Sequence, residues 1–203
     1  MTFKGIAFLL CSICIAIFVL QSIIPGFTDT ISLEQQYWLQ VWRFVTAIFA
    51  HGSLSHLLYN LFALALFGSI LETLIGIRKF LLIFFVTGII ANIAAVLIYP
   101  SSLGASGAIF GIIGTLVVLR PGMAVFAFGL PMPLVIASVF WVVGDIIGLF
   151  VPSNVGNVAH LAGLAAGLLA GTLFRSSEKR QTSRARVVLD ENSIQIWEDQ
   201  YLR

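Results

Sequence analysis

Residues 100–120 read PSSLGASGAIFGIIGTLVVLR. A proline and a run of small and polar residues lead into 14 uncharged residues, Ser106 to Leu119, closed by Arg120. The apolar part has helix length but not membrane length. At 1.5 Å per residue it reaches about 21 Å, against roughly 30 Å of hydrocarbon. If its Arg120 end lies at one membrane surface, its Ser106 end lies within the bilayer. The non-helical stretch from Pro100 to Ala105 must then be enclosed by protein or line a water-filled cavity, because lipid cannot satisfy backbone N–H and C=O groups. The stretch predicts a wet site inside a membrane protein.

The rest of the chain supplies the membrane body. Of 203 residues, 59% are hydrophobic and 10% charged, with mean hydropathy +1.03. Soluble domains carry about 25% charge, so a soluble globular domain is excluded. Between Phe44 and Phe174 the formal charges are Glu72, Arg78, Lys79, Arg120 and Asp145. Five further apolar segments have spanning character: Gly5–Ile24, Ser53–Ile75, Phe80–Tyr99, Leu134–Val151 and Asn157–Phe174. The first exceeds a signal-peptide core of roughly 7–15 residues, and Ile23-Ile24-Pro25 is a poor cleavage site, so it reads as a retained helix. The expected fold is an all-α membrane protein: a six-helix bundle over residues 1–175, its short fourth helix starting inside the bilayer. A charged tail, 176–203, follows. Within the tail, residues 186–197 read as two short strands about a turn.

Orientation follows from the basic residues. Six spans put both termini on one side, with Lys4, Arg78, Lys79, Arg120, Arg175 and the tail, ten of the eleven Lys and Arg. Arg43 stands alone on the other side. By the positive-inside rule both termini are cytoplasmic, in a multi-pass protein of the plasma membrane. The loop from Pro25 to Ala50 and the Ser106 and Asn157 helix ends then face outward. The loop mixes aromatic and polar residues, Tyr37, Trp38 and Trp42 among Gln35, Gln36, Gln40 and Arg43, and reads as partly embedded at the interface. A net charge of +2 without a basic cluster excludes nucleic acid as a partner. Cys11 and Cys14 read as small buried apolar residues. No residue set calls for a metal or cofactor.

Ionisable and polar residues inside a membrane mark functional sites. Here they are His56, Asn60, Glu72, Asn92, Ser106, Asp145, Asn157 and His160. His56 and Asn60, four apart, share a helix face, and His51 stands at the mouth of that helix. Gly107 and Gly111 on the fourth helix, and Gly163, Gly167 and Gly171 on the sixth, form small-residue stripes that allow close approach. Such packing brings Ser106 and His160 within side-chain reach. A serine hydroxyl needs a base to act as nucleophile. His160 takes that part and returns the proton to a leaving amine. The tetrahedral intermediate needs N–H donors, available from His56, Asn60 and the Ser106 backbone at a helix N-terminus. No carboxylate is placed to orient the histidine and Asp145 has no assignment, so the expectation is a dyad.

These residues in this order resemble the rhomboid family of intramembrane serine proteases, in a minimal six-helix prokaryotic form. The matching pieces are Trp42-Arg43; His51, His56 and Asn60; Gly104-Ala105-Ser106-Gly107; and Ala159-His160-Leu161-Ala162-Gly163. The resemblance spans about Trp42 to Gly171. It implies an endopeptidase cleaving in or near transmembrane segments of membrane proteins, with Ser106 as nucleophile, His160 as base, and His56 and Asn60 at the oxyanion. It implies supporting places for His51, Gly104, Gly107, Phe110, Asn157 and Gly163, and structural ones for Trp42, Arg43 and Glu72. Many members carry Tyr where Phe110 stands, so ring packing on His160 is expected without a hydroxyl contact. Gating by the fifth helix or the loop Pro152–Gly156 is likewise implied.

Competing functions fit less well. No His-Glu-x-x-His helix suits a zinc protease, and Gly144-Asp145 supplies one of the two aspartates an intramembrane aspartyl protease needs. Ala108 breaks the Gly-x-Ser-x-Gly elbow of α/β-hydrolases. No repeat between halves supports a transporter. The remaining alternative is a catalytically inactive relative that binds transmembrane clients.

Overall fold

A computed structural model describes residues 5–151, 155–184 and 199–200. The chain is mostly helical. Helix α1 covers Ile6–Ile23; α2 (Phe27–Ile31) and α3 (Arg43–Thr46) are short pieces of the loop that follows. Then come α4 (Leu54–Ala63) and α5 (Ser69–Ile75), α6 (Ile77–Val96), α7 (Ser106–Leu119), α8 (Leu134–Gly148) and α9 (Asn157–Arg184). A π-helical turn, Leu64–Gly68, joins α4 to α5 in one rod of 22 residues. Among the described residues, four helices are long and apolar enough to cross a membrane: Ile6–Ile23, Leu54–Ile75, Ile77–Val96 and Asn157–Arg175. Helices α7 and α8 are shorter, at 14 and 15 residues.

Several boundaries differ from the expected ones. Helix α6 starts at Ile77 because Gly76, at φ +81°, ends α5 and the chain turns straight into the next helix. Helix α8 stops at Gly148 rather than Val151, and α9 runs past Phe174 to Arg184. The chain is not purely helical. Strand β1 (Leu33–Glu34) pairs antiparallel with β2 (Ser101–Ser102), and β3 (Ala124–Ala127) with β4 (Leu130–Pro133). The strands expected over 186–197 lie outside the described residues, as does most of the Pro152–Gly156 loop.

Helix α7 is the centre of the molecule, buried along most of its length and packed between α6 and α9. The approach is closer than any side chain allows. A Cβ at Gly163 would strike the Gly107 carbonyl, one at Gly167 the Gly111 carbonyl, and one at Gly114 the Leu164 carbonyl. On the other flank a Cβ at Gly111 would strike Thr87 of α6. The Thr115 hydroxyl lies 3.0 Å from the carbonyls of both Gly111 and Gly167, tying α7 to α9. The small-residue stripes expected from the sequence are thus the contact surfaces.

Two polar anchors hold the periphery. Glu72 does not pair with Arg78 or Lys79; its Oε1 and Oε2 accept from the N–H groups of Ile6 and Ala7, each at 2.9 Å. Those donors belong to the first turn of α1, which has no intrahelical partners for them. Arg43 is buried in the first loop. Its Nη1 donates to the Asp29 and Ser32 carbonyls at 2.6 Å, its Nε to Gln40 at 2.6 Å, and its guanidinium lies over the Tyr37 ring. Trp42 beside it is exposed, with Trp38, Leu39 and Val41. Replacing Glu72 with Ala should cost roughly 2–3 kcal/mol, because charged hydrogen bonds to an otherwise unpaired helix end are lost. Thermal unfolding in micelles checks this, and a midpoint equal to that of the wild type would remove Glu72 from the fold's supports.

Candidate active site

The stretch that enters α7 is held in place by its backbone. Strand β2 pairs with β1, and the Gly104 N–H donates to the Ala47 carbonyl at 2.8 Å. Gly104 has φ +122°, which a side chain rarely adopts, and the His56 ring rests where its Cβ would be, at 2.7 Å. The chain then turns into α7 at Ser106. The Ser106 and Gly107 N–H groups fall in the first turn, where no carbonyl of the helix reaches them.

From the opposite side α9 begins at Asn157, with the Val158 N–H donating to the Tyr99 hydroxyl at 3.1 Å. His160 follows within the first turn. Its Nε2 lies 2.9 Å from Ser106 Oγ. Its Nδ1 lies 3.0 Å from Asp145 Oδ1 on α8. Asp145 is ionisable but a carboxylate only accepts, so it selects the tautomer with hydrogen on Nδ1. Nε2 is then a lone-pair acceptor for the serine O–H. The Phe110 ring stacks on the imidazole, centroids 4.3 Å apart and planes 4° from parallel. Asp145 is buried and the His160 side chain is 13% exposed, so the three groups meet at the edge of the protein interior.

Asp145 corrects the expectation of two residues acting alone. A carboxylate does contact the histidine. An apolar segment running on to Val151 would put Asp145 well inside the helix; with the helix ending at Gly148, Asp145 falls in its last turn, level with the start of α9. Gly148, three residues on, has no side chain and a Cβ there would meet the Asn157 amide at 2.6 Å. Asn157 and Gly148 therefore mark where α8 and α9 touch.

The remaining residues fall into two groups. His56 lies over Gly104, two residues from the serine, and Asn60 is one turn further along α4. One Asn60 N–H is used on the His56 carbonyl at 2.8 Å; the amide has a second. Ser53 caps α4 by accepting from the His56 N–H at 3.1 Å. His51 sits before the span, buried, its ring edge-on to His56 with centroids 5.1 Å apart. Its Nδ1 lies 3.1 Å from the Phe49 carbonyl, and the Gln21 amide clasps its backbone at 3.0 and 3.2 Å. Burial and the neighbouring His56 hold the His51 ring down at about 4. Among the described residues no group of three potential ligands could hold a metal ion.

The depressed His51 value has a consequence for stability. Between its ordinary 6.5 and about 4, the unfolded ring binds a proton that the folded ring refuses. Stability therefore falls as pH drops through that window. His51→Asn should flatten this part of the pH dependence of the unfolding midpoint in micelles; an unchanged profile would contradict the assignment.

A rhomboid domain model matches residues 39–177. The putative rhomboid protease YdcA of Bacillus subtilis is 33% identical over 146 residues, 69% of this chain and 70% of that protein. Rhomboid protease GlpG of Yersinia pseudotuberculosis is 30% identical over 165 residues, 77% of this chain and 58% of that protein. GlpG of Yersinia pestis matches to the same extent. The chain thus spans less than two thirds of the length of these GlpG relatives. The matched region holds three of the four long apolar helices found among the described residues, and with them His51, His56, Asn60, Ser106, Asp145 and His160. The chain belongs to the rhomboid family.

Proposed function

We propose that this chain is a rhomboid-type intramembrane serine endopeptidase acting on transmembrane segments of membrane proteins. The observation that carries the proposal is the 2.9 Å contact between Ser106 Oγ and His160 Nε2 at the N-terminus of α7. In the reaction, Oγ attacks the scissile carbonyl as Nε2 takes its proton. The carbonyl oxygen becomes an oxyanion, received by the Ser106 N–H and by N–H groups of His56 and Asn60, strengthened by the positive end of α7. His160 then gives its proton to the leaving amine and an acyl-serine remains. Water, deprotonated by the same nitrogen, hydrolyses it. Asp145 holds the imidazole tautomer and stabilises the imidazolium, and the Phe110 stack fixes the ring plane.

The topology belongs to this proposal. Six spans, both termini cytoplasmic and the site opening outward, account for the ten-to-one division of basic residues. Residues 1–175 form the catalytic body and 176–203 an appended tail. Helix α7 and its non-helical approach together cross the bilayer, with Pro100–Ala105 lining the wet side.

The test uses the purified chain in liposomes with a single-pass substrate carrying small residues near the membrane surface. The wild type should cleave it and Ser106→Ala should not. Persistent cleavage by Ser106→Ala, or none by folded wild type on a panel of such substrates, would contradict the proposal. Asn60→Ala should slow turnover roughly 10- to 1000-fold as an oxyanion donor is lost. Asp145→Asn should lower it by up to roughly 10⁴-fold, because an amide neither enforces the hydrogen on Nδ1 nor stabilises the imidazolium. Rates matching the wild type would remove either residue from the mechanism.

A further inference from the structure

The β3–β4 hairpin is placed oddly for a loop. It joins α7 to α8, and from Pro121 to Gly144 the sequence has no charged residue. Turns in water favour polar residues; this one is Phe128-Gly129. Phe128 has φ +55°, a conformation that Asn or Gly adopts with less strain. Its ring is 65% exposed, with Phe126 at 77% and Leu130 at 62%. Val125 and Ala127, on the other face, are buried in the main core. The hairpin thus has a protein face and an outer face, and both are apolar.

Its position extends a helix. Helix α8 has 15 residues, about 22 Å, short of the roughly 30 Å hydrocarbon. The hairpin is pinned to its start, where the Leu134 N–H donates to the Met123 carbonyl at 2.8 Å and Val135 N–H to Pro121 at 3.1 Å. Phe128 packs edge-on against Phe140, six residues into α8, with centroids 5.6 Å apart. Phe140 lies on the exposed apolar side of α8 with Ile136, Val139, Val143 and Ile147. The outer face of the hairpin is therefore continuous with the face that α8 presents to lipid.

The backbone sets the depth. A two-stranded hairpin leaves unpaired groups along its edges, which hydrocarbon does not tolerate but the headgroup boundary does. The register reduces the cost. With the turn closing at Ala127 and Leu130, the Phe126–Pro131 and Ala124–Pro133 pairs fall at positions without ladder bonds. Both β4 residues whose N–H would point off the edge are prolines, which have none.

We propose that the β3–β4 hairpin is an interfacial anchor whose Phe126, Phe128 and Leu130 insert among the lipid acyl chains at the headgroup boundary, completing the membrane contact of α8. It rests on reading α8 as a span, but not on the proteolytic reaction. The test attaches a nitroxide at Phe128→Cys, with Gly122→Cys and Val143→Cys as references, in phosphatidylcholine–phosphatidylglycerol liposomes. Cys11 and Cys14 are buried and stay in place, and the wild-type chain passes through the same labelling as the blank. Power saturation compares access by oxygen, which favours lipid, with access by a nickel chelate, which stays in water. The label at 128 should have an oxygen-to-nickel ratio above that at 122 and below that at 143. A ratio at 128 equal to that at 122 puts the hairpin in water and overturns the proposal. A ratio equal to or above that at 143 puts it in the hydrocarbon core and also overturns it. A water-like ratio at 143 as well would fell the reading of α8 as a span, and the anchor with it.

Discussion

Everything in this molecule depends on how closely α9 lies against α7. Gly163 and Gly167 rest on the carbonyls of Gly107 and Gly111, with no side chain between the backbones. Lipid tails are as apolar as leucine, so helix association here draws on packing and hydrogen bonding rather than on expulsion of water. Glycine contacts supply the packing, and the Thr115 hydroxyl between two carbonyls supplies polar glue. The contact between Ser106 and His160 lies at the end of the same seam. Ser106 stands one residue before Gly107, and His160 three before Gly163. A wider seam would part Ser106 from His160.

The second constraint is that polar groups in this setting need partners. The first turn of α1 gets Glu72, the first loop gets Arg43, the start of α9 gets Tyr99, and α4 gets Ser53. At the site, His160 uses both ring nitrogens, one on Asp145 and one on Ser106. The first-turn N–H groups of α7, which no carbonyl of the helix reaches, form the other polar feature. The arrangement that gives the histidine a partner on each nitrogen also fixes its tautomer.

Much of this was legible in the sequence. The 14-residue apolar run after Pro100 marks α7 to the residue, and the glycine spacing marks its contact with α9. Phe110 stacks on His160 as expected of a ring without a hydroxyl. Other features depended on geometry that a one-dimensional pattern does not carry. Asp145 was hidden because apolar residues continue past Gly148, and hydropathy does not mark where a helix stops. Glu72 sits near Arg78 and Lys79 in sequence, but the unpaired end of α1 is the stronger attraction. The β3–β4 hairpin escaped because its strands are as apolar as a helix and carry no polar turn to mark them.

The central claim is that Ser106 is a nucleophile made reactive by His160. A fluorophosphonate reacts with an activated serine hydroxyl and leaves a covalent adduct that peptide mass spectrometry assigns to one residue. In folded wild-type protein the adduct should fall on the peptide containing Ser106, and His160→Ala should abolish it while leaving the fold intact. An adduct on another serine, or equal labelling of Ser106 without His160, would contradict the account.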